Sequence, residues 1–145
     1  MYKHLLIPTD GSSLSEDAVR QGLALAKTLN ADVAVLTVSP PFHTFSTDPL
    51  TVTETRERHD ADCQARAERF LGFARDLARA AGVRCETIHV VNDHPWEAII
   101  ATAQSRGCDL ILMASHGRRG VAALVLGSET TKVLTHSKIP TLVCR

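Results

Sequence analysis

Leu110-Ile111-Leu112-Met113 is an unbroken apolar run that opens into Ala114-Ser115-His116-Gly117. Such a run is too short for a helix. It also lacks the alternation of a strand with one wet face, so it reads as a strand buried on both faces. Leu5-Leu6-Ile7 and Val33-Ala34-Val35-Leu36 repeat the pattern near the N-terminus. Strands buried on both faces belong to a parallel sheet, whose connections are helices covering it from either side. Few folds satisfy that requirement in 145 residues, a length that makes one domain spanning 1–145.

Taken in order, the chain alternates as that class demands. Residues 3–8 are a first strand ending in the turn cluster Pro8-Thr9-Asp10-Gly11-Ser12. Ser13-Leu14-Ser15-Glu16 fits a capping box with Ser13 as the N-cap. Leu14, Ala18, Leu25, Ala26 and Leu29 keep a helical period to Asn30, and residues 32–39 form a second strand. This βαβ start has a right-handed crossover. Pro40-Pro41 stops the strand, and a loop runs to about Val52, with Phe42 and Phe45 packing it down. Residues 54–81 make a helix whose inner face is Ala67, Phe70, Leu71, Ala74, Leu77, Ala78 and Ala81, closed by Gly82. A third strand covers residues 83–91. Asp93 caps the next helix, Pro95 takes its first turn, and Trp96, Ile99, Ile100 and Ala103 face the core up to Gly107. After the fourth strand, a helix with Ser128 as N-cap leads to a terminal strand at residues 140–145. The expected class is α/β, a doubly wound parallel sheet of five strands.

Acidic and basic residues balance at 16 each, which excludes a global field for nucleic acid. The mixed charges on residues 54–81 read as a solvated helix face. No run of eighteen apolar residues is present and the N-terminus enters a strand directly, so a cytoplasmic protein without a membrane span is expected. Cys63, Cys85, Cys108 and Cys144 form no CxxC pair. The last three fall in or beside apolar strands and read as buried small hydrophobes. His59 and Cys63 stand four apart on a helix, but no further ligands follow at recognisable spacing, so no metal site is expected.

The fourth strand carries the candidate chemistry. Behind it stand Gly117, nine intervening residues, then Gly127-Ser128 and the helix start Glu129-Thr130. Small residues let backbone N–H groups face outward, and a helix N-terminus favours an anion, so the arrangement suits a phosphate chain. Ala114, Gly117 and Gly127-Ser128 at this spacing resemble the ATP-binding signature of the universal stress protein family, Gly-x-x-Gly-x9-Gly-Ser/Thr. Ala114 replaces the first glycine. The resemblance extends over nearly the whole chain.

That resemblance implies a three-layer Rossmann-like fold with strand order 3-2-1-4-5. In that order the winding reverses between strands 1 and 4, where open α/β sheets bind ligands. It implies ATP as ligand, with or without Mg, held by Pro8, Thr9, Asp10, Val38, Met113, Ala114, His116, Gly117, Arg118, Gly127, Ser128, Glu129 and Thr130. Asp10 and Val38 fall on the adenine and ribose side, and the glycines, Ser128 and Thr130 around ribose and phosphates. Arg118 and Arg119 sit where cations would neutralise phosphate. It further implies a homodimer through the terminal strand and a role as stress-response regulator or nucleotide sensor. A protein partner remains unidentified. No Walker lysine follows the loop and no G-x-S-x-G elbow surrounds Ser115, so little hydrolysis is expected and no catalytic residue is named. Adjacent side chains such as Ser115 and His116 are not expected to meet. Two other readings stay open: a same-fold dimeric interaction protein with a degenerate pocket, and a slow ATPase.

Overall fold

The computed structural model describes residues 1–43, 49–117 and 125–145, with side chains of the second helix from residue 55 onward. Phe45, Arg118 and Arg119 lie outside the described residues. The elements are β1 (His4–Pro8), α1 (Ser13–Leu29), β2 (Asp32–Ser39), α2 (Pro49–Ala81), β3 (Cys85–Val91), α3 (Pro95–Ser105), β4 (Leu110–Ala114), α4 (Ser128–His136) and β5 (Thr141–Cys144). All strand pairs are parallel, in the order β3-β2-β1-β4-β5.

Alternation along each strand sorts its side chains onto two faces. Leu5, Ile7, Val33, Val35, Leu110 and Leu112 pack with Ala18, Val19, Leu23 and Ala26 of α1 and Leu71, Ala74 and Ala78 of α2. Leu6, Ala34, Leu36, Ile111 and Met113 pack with Ile99 and Ala103 of α3 and Val133 of α4. The three-layer, doubly wound α/β architecture follows. β1 is its centre: Leu5, Leu6 and Ile7 are fully buried, each contributing about 1.5–3 kcal/mol on leaving water. At the lower end of β1, the Asp109 carboxylate accepts the N–H groups of Lys3 and His4 at 2.8 and 3.0 Å. Partial burial pushes the Asp109 pKa up, but these backbone donors outweigh it and hold the carboxyl below its usual 3.8.

Several boundaries differ from the expected ones. Ser12, not Ser13, caps α1: its hydroxyl accepts the Ser15 N–H at 3.2 Å, so Ser15 takes the position assigned to Glu16. Asn30 closes α1 in the left-handed region, φ 54°. α2 begins at Pro49, inside the expected loop, because a proline fits the first helical turn. β3 starts at Cys85, and the two residues before it complete the turn behind Gly82 (φ 72°). His94 occupies the N-cap of α3 without a side-chain bond, while Asp93 pairs instead with His43 Nε2 at 2.8 Å. Gly127 (φ −63°, ψ 157°) is the N-cap of α4, which moves Ser128 to the first helical position.

All four cysteines are free, and the buried ones are Cys63 and Cys108; Cys85 and Cys144 are half-buried at the sheet edges. Burial, with the charges of Asp109 and Glu86, pushes the Cys108 thiol up to about 11. Cys63 Sγ lies 3.4 Å from His59 Nε2, which also meets the Pro40 carbonyl oxygen at 3.0 Å.

Candidate functional site

Two turns leave the C-terminal ends of neighbouring strands and part to opposite faces. β1 leads through Thr9-Asp10-Gly11 to α1 on one face, and β4 through Ser115-His116-Gly117 toward α4 on the other. A cleft opens between them, with a cavity volume of ≈ 170 Å³. Its wall is formed by Pro8, Thr9, Asp10, Ser15, Leu36, Val38, Pro95, Ile99, Met113, Ala114, His116, Gly117, Glu129 and Thr130.

The first turn is held by a network of short hydrogen bonds. The Thr9 N–H donates to the Leu36 carbonyl at 2.8 Å, and the Thr9 carbonyl accepts the Thr37 hydroxyl at 2.7 Å, fixing the turn to β2. The Thr9 hydroxyl accepts from the Gly11 N–H at 3.2 Å and lies 3.0 Å from the Ser15 hydroxyl, which donates to the Ser12 carbonyl. Asp10 Oδ1 accepts the Ser12 N–H at 3.0 Å. Its other oxygen lies only 2.2 Å from where a Cβ on Gly117 would sit, so the two turns touch there, and a side chain at 117 would require the Asp10 carboxylate to move.

The second turn is tied to α4. The Gly127 N–H donates to the Ser115 carbonyl at 2.8 Å, and the Thr130 hydroxyl donates to the Ala114 carbonyl at 3.0 Å. A Cβ on Gly127 would stand 3.0 Å from His116 Cα. The first helical bond of α4 runs from the Thr131 N–H to the Gly127 carbonyl, so the amides of residues 128–130 have no acceptor within the helix. Contrary to expectation, Ser115 Oγ and His116 Nδ1 do meet, at 3.2 Å. Ser115 is buried away from the cleft wall, so this pair presents no hydroxyl nucleophile to it.

Of the residues named from sequence, Pro8, Thr9, Asp10, Val38, Met113, Ala114, His116, Gly117, Glu129 and Thr130 share the cleft wall. Gly127 and Ser128 stand behind it at the start of α4, and Arg118 lies outside the described residues. Sequence reasoning missed Ser15, Leu36, Pro95 and Ile99. Leu36 precedes Val38 by two in β2 and therefore shares its face, a signal that was available. Glu129 carries more than its position suggested: Oε2 accepts the Trp96 N–H at 2.9 Å, and Oε1 lies 3.7 Å from Lys132 Nζ. The Trp96 ring packs on His136 with centroids 4.7 Å apart. Among the described residues, no three His, Cys, Asp or Glu side chains cluster as a metal would require, and no helix is long and apolar enough to cross a membrane.

The chain is 31% identical to universal stress protein YxiE of Bacillus subtilis, with the whole of both chains matched. Its structure superimposes on that of universal stress protein MJ0577 of Methanocaldococcus jannaschii with a TM-score of 0.83. That match is at 29% identity and covers 99% of this chain and 95% of the other. A universal stress protein solved in complex with cAMP matches at TM-score 0.73 and 27% identity, over 99% and 97% of the two chains. The model of the universal stress protein family matches residues 1–145. A full-length family match, the strand order and the loop spacing agree: this chain belongs to the universal stress protein family.

Proposed function

We propose that the cleft between the β1 and β4 turns binds an adenine nucleotide, ATP with or without Mg, with little turnover, and that the bound form acts as a stress-response regulator or sensor. The observation that carries this reading is convergence: ten positions named from the family resemblance wall one cleft at the reversal of the sheet. The chemistry of the wall suits the ligand. Leu36, Val38, Ile99 and Met113 offer an apolar slot for a purine ring. The open amides of residues 128–130 supply donors for a phosphate, as in other helix N-termini. The relative solved with cAMP adds support for an adenine-containing ligand. The Val38 backbone and Asp10 would read the base, Asp10 and Thr9 the ribose side, and Gly117, Gly127, Ser128 and Thr130 the phosphates, with Arg118 as a counter-charge. The protein would act in the cytoplasm as a homodimer through β5, where Leu142 is 45% exposed on an edge strand.

Calorimetric titration with ATP and GTP tests this reading, with ATP expected to bind more tightly. Absence of heat at millimolar nucleotide would instead support a same-fold interaction protein. The observation favouring that second reading is the cavity volume of ≈ 170 Å³, below the usual ligand range of about 300–1,000 Å³.

A further inference from the structure

Among the described wall residues, the carboxylates are Asp10 and Glu129. Glu129 is fixed in place by both oxygens. Oε2 accepts the Trp96 N–H in the first turn of α3, a service that His94 at the N-cap does not supply. Oε1 faces Lys132 Nζ at 3.7 Å, and the Lys132 side chain is 46% exposed. The residue is also part of the first turn of α4. One carboxylate therefore answers the positive ends of two helices, and it does so on the wall where a phosphate chain would seek the same field.

We propose that Glu129 sets the phosphate-charge preference of the cleft, disfavouring a bound nucleotide in proportion to the negative charge of its phosphate chain. The inference rests on the adenine-nucleotide reading above. Like charges about 6–8 Å apart alter affinity by at least about threefold per unit charge, the limit set by the dielectric of water, and by more at the lower effective dielectric near a protein surface. Adenosine should be indifferent to the Glu129 charge, AMP moderately sensitive and ATP most sensitive. The effect fades as salt shortens the screening length. Lys132, by partly neutralising Glu129, moderates the discrimination.

The test is titration of wild type, Glu129→Gln and Lys132→Met with adenosine, AMP and ATP in chelator at low salt, with melting curves for each variant. Gln keeps an oxygen to accept the Trp96 N–H and removes the charge. Glu129→Gln is expected to leave adenosine unchanged, to tighten AMP by at least about threefold and to tighten ATP by more. Lys132→Met, on an exposed site, is expected to weaken ATP relative to adenosine, the opposite sign. Should Glu129→Gln fail to fold, Glu129→Met, a neutral side chain of similar length, takes its place in the same titrations. Equal changes for all three ligands in Glu129→Gln, or no change in any, would overturn the proposal and leave nucleotide binding standing. A wild type that binds none of the three would remove the binding reading and the inference together.

Discussion

Gly127 is the position where the sequence and the structure assign different physical reasons to one residue. From spacing alone, its missing side chain makes room for a phosphate. In the structure, its dihedrals (φ −63°, ψ 157°) suit any residue, so backbone strain plays no part. The space a Cβ would fill is instead held by the second turn: His116 Cα at 3.0 Å, His116 Cβ at 3.1 Å and the Ser115 carbonyl at 3.3 Å. Two of these three atoms are backbone and cannot rotate away, so the turns must separate by a few tenths of an ångström. Overpacking of this kind costs about 1–3 kcal/mol. The stiffer unfolded chain of an alanine variant returns about 0.4–1 kcal/mol. Gly127→Ala should therefore lose about 1–2 kcal/mol, a fall in Tm of about 3–6 °C for a domain of this size. Gly127→Val, with two further methyls, should lose more, and both should weaken nucleotide binding because the amides of residues 128–130 move with the helix. Thermal melting and calorimetry on the alanine variant measure both effects. A variant that melts with the wild type would refute the packing argument, and one that also binds nucleotide normally would remove Gly127 from the site.

Other positions supply independent checks. Gly11 combines φ +77° with a would-be Cβ 2.1 Å from the Phe70 ring, so Gly11→Ala should destabilise more than Gly127→Ala in chemical denaturation. Asp109 has a pKa lowered in the fold, so its contribution is present above the unfolded value near 3.8 and is lost as pH falls through the lower folded value. Asp109→Ala should accordingly flatten the acid limb of the stability–pH curve, and an unchanged limb would count against this role. Leu142, the exposed apolar residue of edge strand β5, should on replacement by Asp convert a dimer to monomer in sedimentation, whereas an unchanged dimer would place the interface elsewhere.

The central strands were legible because burial on both faces leaves an apolar run, as at Leu5-Leu6-Ile7 in β1 and Leu110 to Met113 in β4; the strand order came from the family resemblance. Helix ends were less legible. Ser12, Ser13 and Ser15 could each cap α1, and only the bond from the Ser15 N–H to Ser12 decides among them. Asp93 lost its expected capping role to a long-range partner, His43, which no local pattern reveals. At the site, the glycine spacing pointed to the β4 turn and the start of α4, and the family's strand order pointed to the β1 turn beside them. Pro95 and Ile99 arrive from a helix on the far side of the sheet reversal, so only three-dimensional packing brings them to the wall. Glu129 was named as a contact, but its bond to Trp96 joins residues 33 apart and could not be read from either segment.

Amide chemical-shift mapping with ATP on labelled full-length protein tests most directly where the nucleotide sits. A nucleotide held between the β1 and β4 turns should shift the amides of residues 9–11, 114–117 and 127–131 in a saturable way, leaving the β3 edge unmoved. Saturable shifts confined to other parts of the chain, or none at millimolar ATP, would contradict a nucleotide site at the sheet reversal.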